Sequence, residues 1–208
     1  MNPAHPSPVT PTPLHFRFAA EADVTAVVTH VQSAVRGEAS RTGWTTEADL
    51  LNGQRTDAGK VTEAIASAGC RILLAEQSGA LVASAVLADM GDSTYLGMLA
   101  VQPGRQGTGI GRLMLAEAER LAHEAFAAPA IRITVIAQRR ELIDWYERRG
   151  YQQTGECEPF PYGDVRSGLP RRDDLYFVIL TKMLGPVYFA ASDVTPSRST
   201  AGSARPKR

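Results

Sequence analysis

The stretch Val101-Gln-Pro-Gly-Arg-Gln-Gly-Thr-Gly-Ile-Gly-Arg112 restricts what this chain can fold into more than any other. Ahead of it, residues 94–100 (T-Y-L-G-M-L-A) read as a strand of short apolar residues with one tyrosine, stopped by Pro103. Behind it, Ile110, Leu113, Met114, Ala118, Leu121, Ala122 and Ala125 recur at three- and four-residue steps, the spacing of a helix. The stretch is therefore a strand-to-helix turn with glycines at 104, 107, 109 and 111. Glycine lets the backbone approach a ligand closely, and a helix start offers unpaired N–H groups at the positive end of its dipole. Together they make a seat for a pyrophosphate.

Two familiar glycine patterns do not fit. A nucleotide P-loop needs lysine after its second glycine, and Gly104 with Gly109 is followed by Ile110. The dinucleotide fingerprint G-x-G-x-x-G, started at Gly107 and Gly109, would need glycine where Arg112 stands.

Composition narrows the partners. The 208 residues hold 22 basic and 22 acidic side chains, so nothing calls for a polyanion. After Gly185, Arg198, Arg205, Lys207 and Arg208 stand against Asp193, a net of +3, which leaves the rest at −3 and argues further against nucleic acid. Cys70 and Cys157 have no redox or metal spacing, which suits a reducing cytoplasm. His5, His15, His30 and His123 are scattered, so no metal is expected. Residues 1–13 lack a charged start and an apolar core, and no run approaches eighteen apolar residues, so neither a secretory leader nor a membrane span is expected.

Taken in order, a proline-rich arm over residues 1–13 is expected to be disordered. A short strand at 16–19 precedes a helix over 21–35, with Val24, Val27, Val28, Val31 and Val35 on one stripe and His30 off it, a solvated histidine on this reading. Residues 36–46 read as a polar loop. Thr46 and Asp49 have the spacing of a capping box opening a short helix, and a further helix is expected over 59–68. Strands at 70–76 and 81–90 form a hairpin around Ser78-Gly79, and a third strand follows at 94–101. After the glycine turn and its helix come a strand at 131–137, a helix at 140–149 closed by Gly150, and strands at 151–156 and 175–182. From 186 to 208 the composition again reads as disordered. The strand–helix–strand unit implies a right-handed crossover and hence a parallel pair, 94–101 with 131–137.

Two features now carry a family resemblance. Gln106-Gly107-Thr108-Gly109-Ile110-Gly111 after Val101-x-Pro103 resembles the acyl-CoA pyrophosphate loop of the GNAT superfamily of N-acetyltransferases. Trp145-Tyr-Glu-Arg-Arg-Gly-Tyr151 resembles that family's Tyr-x-x-x-Gly-Phe/Tyr segment, and the element order over 14–185 is that of its fold. The resemblance implies an α/β (α+β) domain: a mixed, mostly antiparallel sheet of about seven strands, about four flanking helices and a splayed parallel pair. It also implies acetyl-CoA as cosubstrate. Leu99, Ala100 and Val101 would then contact pantetheine through their main chain, and Gln106, Gly107, Thr108, Gly109, Ile110, Gly111 and Arg112 would take the pyrophosphate. Arg105 and Arg112 could add charged bonds, or simply decorate a helix start.

Acetyl transfer from a thioester to an amine needs attack geometry, a neutral amine, a donor for the oxyanion and a proton for the leaving thiolate. By position in the family segment, Tyr146 is the candidate general acid, and the plain alternative is a core tyrosine with its hydroxyl at the edge. Many relatives carry asparagine where this chain has Arg139. Glu47 is the candidate general base, against a simple helix-start role and an equally plausible water chain. Trp44, Arg55 and the 159–172 loop are further pocket candidates, Arg55 as a reader of carboxylates and Trp44 first of all as a residue packed under a loop. These point to a small amino-acid-like or amine acceptor, and relatives that pair as homodimers make a dimer an expectation. The competing readings are an idle acyl-CoA sensor and a transferase of longer acyl chains. No Gly-x-Ser-x-Gly elbow or Cys/His pairing supports a hydrolase.

Overall fold

The computed structural model describes residues 13–185 apart from 165 and 167. The arm, save Pro13, and the 186–208 tail lie outside the described residues. The strands are β1 (His15–Phe18), β2 (Leu51–Asn52), β3 (Cys70–Gln77), β4 (Ala80–Asp89), β5 (Thr94–Val101), β6 (Ala130–Ile136), β7 (Gln152–Pro159), β8 (Leu169–Pro170) and β9 (Tyr176–Met183). The helices are α1 (Val24–Val35), α2 (Gly37–Ser40), α3 (Ala58–Ala66), α4 (Ile110–Ala125) and α5 (Arg140–Glu147). Seven strands form one sheet in the order β1-β3-β4-β5-β6-β9-β7, and β2 with β8 forms a small second sheet. No described helix is long and apolar enough to cross a membrane.

Period-two burial makes the sheet two-faced. Along β3, Ile72 and Leu74 turn to one side and Leu73 and Ala75 to the other, and all four are buried. The first pair packs with Val27 and Val31 of α1 and Val61 of α3. The second faces the side that holds Met114, Leu115 and Ala118 of α4 with Ile143 and Tyr146 of α5. On α4 the buried positions Ile110, Met114, Ala118 and Ala122 fall at steps of four, the face that a helix presents to a sheet. The hairpin turn has left-handed φ at both Ser78 (52°) and Gly79 (76°), the twist that suits a two-residue connection.

Among the described strands only β5 and β6 pair in parallel, and their register holds just Thr94 to Ile131 and Tyr95 to Arg132. Beyond that point the strands part. On its other side β5 stays bonded to β4, but Gly97 faces Val86 and Ala100 faces Ser84, so Met98 and Leu99 together oppose Ala85. This is a β-bulge, and Met98 takes φ +47°, a conformation L side chains rarely adopt. Tyr95 spans the start of the gap, its hydroxyl 3.1 Å from Thr134 Oγ1. Its ring lies where a Cβ on residue 97 would stand 2.7 Å away, which accounts for Gly97.

Several expectations change. Thr46 does not open a helix: its hydroxyl accepts from Ala48 N–H at 3.0 Å, one turn follows, and Leu51 already starts β2. Asp49 pairs instead with Arg41 at 2.6 Å. Residues 37–40, read as loop, form α2. His30 is buried, with Nε2 3.3 Å from the Ala100 carbonyl, rather than solvated. Trp44 is 44% exposed rather than packed under a loop. The β2–β8 pairing, Leu51 to Pro170, leaves no trace in the sequence, because it joins distant short segments that carry no strand pattern of their own.

Ile131 sits fully buried at the joint that starts the splay. Ile131→Ala is expected to cost about 3 kcal/mol of unfolding free energy in urea titration, from the cavity it leaves.

Candidate active site

Two cavities open on the gap between β5 and β6. The first, about 420 Å³, is lined by Leu99 and Val101 of β5, the glycine turn, Trp44, and Trp145, Arg148 and Arg149 at the end of α5. The second, about 310 Å³, is lined by Tyr95 to Leu99, Thr134, Glu47, Arg55, Arg139 and Tyr146. Leu99 and Leu142 line both, so the cavities meet beside the bulge.

The first cavity suits a long phosphorylated ligand. Gly107 and Gly109 have φ of 78° and 91°, so the turn is built on conformations glycine alone adopts without strain. The first bond of α4 runs from Leu113 N–H to the Gly109 carbonyl at 3.1 Å, and the N–H groups ahead of it have no helical acceptor. Arg112, Arg148 and Arg149 share the wall, and burial together with its two cationic neighbours holds Arg149 below its ordinary range. Such crowding is relieved by an anion. The Arg149 guanidinium stacks 3.7 Å over the Trp145 ring. Arg105 turns away and bonds Gln77, so only Arg112 of the two loop arginines faces the cleft.

The predicted contacts fall into place unequally. Gly107, Gly109, Gly111, Arg112, Leu99 and Val101 line the cleft. Ala100 packs toward α1, with its carbonyl engaged by His30. Thr108 bonds its own loop at Arg105 O (2.7 Å), and Ile110 is in the core. Gln106 is a brace: its amide donates to Val101 O at 3.2 Å and accepts from Trp44 N–H at 3.0 Å.

Tyr146 is 6% exposed, with the Trp145 ring 4.9 Å and the Tyr151 ring 5.3 Å away, edge-on. Its hydroxyl makes no hydrogen bond among the described residues, although the ring lines the second cavity. Burial pushes the phenol well above its ordinary value, so it stays protonated at any physiological pH.

Glu47 occupies the centre of a cationic nest. Arg36 Nε and Nη2 each stand 3.0 Å from Oε2, Arg139 Nη1 stands 2.9 Å from Oε1, and Arg55 Nε stands 3.6 Å from Oε2. Burial alone would raise this carboxyl, but Arg55, Arg139 and Arg36 outweigh it and hold it below the ordinary carboxylate range. Arg139 also donates to Thr45 Oγ1 at 2.7 Å and so ties α5 to the 41–52 segment. Sequence reasoning missed Arg36 and the cleft role of Trp145, Arg148 and Arg149. The four-residue step from Trp145 to Arg149 was the available signal for the latter.

The Acetyltransferase (GNAT) domain family matches residues 47–159, more than half of the chain. No curated protein sequence matches it. Among solved structures, the ribosomal-protein-S18-alanine N-acetyltransferase from Escherichia coli is similar at 15% identity with a TM-score of 0.62, over 86% of this chain and 99% of that one. The ribosomal-protein-alanine N-acetyltransferase from Brucella melitensis is similar at 21% identity and a TM-score of 0.61, over 82% and 99%. The Salmonella typhimurium protein yncA, solved with its cofactor acetyl-CoA, is similar at 19% and 0.60, over 88% and 99%. These likenesses show the fold, and the family match defines an acyl-CoA-dependent N-acyltransferase. This chain belongs to the GNAT family of acetyltransferases.

Removing the carboxylate from the nest leaves buried guanidiniums uncompensated, so Glu47→Gln is expected to cost about 3 kcal/mol of stability. The wild-type contribution is complete above the ordinary carboxylate range and fades as pH falls through the depressed value of the folded state. Urea titrations of both proteins at neutral and acid pH check this: their stabilities should converge on acidification.

Proposed function

We propose that this protein moves the acetyl group of acetyl-CoA directly to a primary amine of a small, amino-acid-like molecule, with both substrates bound together. The observation that carries the reading is the meeting of the two cavities at Leu99 and Leu142, beside the bulge and Tyr146. On this reading the N–H groups at Gly107 to Arg112, with Arg112, Arg148 and Arg149, hold the phosphates. The unpaired edge of β5 holds the pantetheine arm, and the acceptor enters through the second cavity.

The amine nitrogen forms a bond to the acyl carbon and the carbon–sulfur bond breaks. Tyr146, neutral and with its hydroxyl unbonded among the described residues, gives its proton to the departing sulfur. The amine must lose one. Glu47 is a poor acceptor for it, because its lone pairs are engaged and its basicity is depressed. The reading therefore assigns Glu47 to organising the arginines and leaves the proton to water in the cavity. The surplus positive charge there helps, since neighbouring cations lower the pKa of a bound ammonium and favour its neutral, nucleophilic form.

A panel of amines tested with acetyl-CoA, read as free thiol release, is expected to show turnover. Binding of acetyl-CoA in calorimetry without turnover of any amine would instead favour the idle sensor. Tyr146→Phe should slow turnover about hundredfold with little change in acetyl-CoA affinity. Unchanged turnover in the folded variant would remove its role. Gly109→Val should weaken acetyl-CoA binding about tenfold or more in calorimetry, because a branched side chain resists the left-handed φ of this helix start.

A further inference from the structure

We infer that the acceptor carries a carboxylate close to its amine, and that Arg55, backed by Arg139, is the group that reads it. This rests on the transferase reading above.

Three guanidiniums, Arg36, Arg55 and Arg139, converge on the single carboxylate of Glu47, a surplus of two positive charges. The other acidic side chain on the cavity wall, Glu158, is matched by Arg132 at 2.8 Å and does not redress the balance. Surplus charge against a low-dielectric wall is costly unless an anion arrives to meet it. The three cations are not equivalent. Arg36 and Arg139 are buried and committed: Arg36 bonds Glu47 and the Asn52 carbonyl, and Arg139 bonds Glu47 and Thr45. Arg55 is different. Its side chain keeps 33% exposure, lines the acceptor cavity, and approaches Glu47 only at 3.6 Å, beyond hydrogen-bond distance. Its main chain is anchored, with the amide donating to Gln32 Oε1 at 2.9 Å, so a part-exposed head stands on a fixed base. Behind it, Arg139 is 8% exposed, and its Nε–H is buried with no acceptor among the described residues.

A planar guanidinium beside a cavity, its side chain without a hydrogen bond among the described residues, matches a carboxylate, which it can grip with two bonds. The rest of the wall combines the apolar side chains of Val31, Val35, Ile136, Leu142, Pro161 and Phe177 with the hydroxyl-bearing Tyr95, Thr134 and Tyr146. A volume of about 310 Å³ suits a molecule the size of a free amino acid with an apolar side chain. A peptide N-terminus lacks the adjacent carboxylate and leaves the charge unmet.

The test compares kcat/KM for L-leucine, L-phenylalanine and L-valine with that for their carboxamides, at fixed acetyl-CoA, in the wild type, Arg55→Gln and Arg55→Lys. The acids should be preferred about tenfold or more in the wild type. The ratio should fall toward unity in Arg55→Gln and be partly kept in Arg55→Lys. Equal use of acids and carboxamides by the wild type, or a preference that survives in Arg55→Gln, would overturn the inference while leaving the transferase reading intact. So would a preference for phosphoethanolamine over every amino acid, since the anion would then be a phosphate. Failure to acetylate any amine would overturn both.

Discussion

The parting of β5 from β6 after Tyr95 governs everything else in this molecule. A buried strand ordinarily satisfies its N–H and C=O groups on both sides, and leaving one side open is expensive unless water or a ligand fills it. Here the open edge lies in the middle of a seven-stranded sheet, between two layers of packed helices. It is held open by position rather than by flexibility: the bulge at Met98 and Leu99 displaces β5 on its β4 side, and Tyr95 with Thr134 props the gap at its start. The result is a slot with hydrogen-bonding groups along one wall and helix ends at its mouth. A linear, partly peptide-like arm ending in phosphates is the shape of ligand that such a slot completes.

The two cavities divide the chemistry between local and distant parts of the chain. The first cavity is built mainly from one continuous run, strand, turn and helix start, with Trp44, Thr45 and the end of α5 closing over it. The second is assembled from α1, Glu47 and Arg55, the far ends of β6 and β9 and the start of α5. Arg139 is the hinge between them, since the same helix that carries Tyr146 begins with the side chain that grips Glu47. The two cavities are not independent: Leu99 and Leu142 line both, and the 41–57 segment supplies Trp44 and Thr45 to the first and Glu47 and Arg55 to the second.

That division also explains what could be read in advance. The glycine spacing, the helix stripe on α4 and the hairpin at Ser78-Gly79 are local patterns, and each produces its element with little help from the rest of the chain. The Glu47 nest was not legible, because its partners stand 11 residues before and 92 residues after in opposite directions along the sequence. His30 falls off the valine stripe and is buried all the same, because a carbonyl on β5 gives its ring a partner. The bulge announces itself no better: methionine has no preference for left-handed φ, so position 98 adopts it only because the surrounding sheet imposes it.

One small contact has a wider reach than its size suggests. The amide of Gln106 joins the carbonyl of Val101, at the end of β5, to the main chain of Trp44, in the segment that leads on to Glu47. A methyl group at position 43 would stand 2.3 Å from its oxygen. A side-chain tip moves aside readily, so alanine there would be tolerated by the backbone and felt instead as an unfastened clasp. Residues 43 and 106 should therefore drift through evolution as a couple, a dependence invisible to anyone reading either position alone.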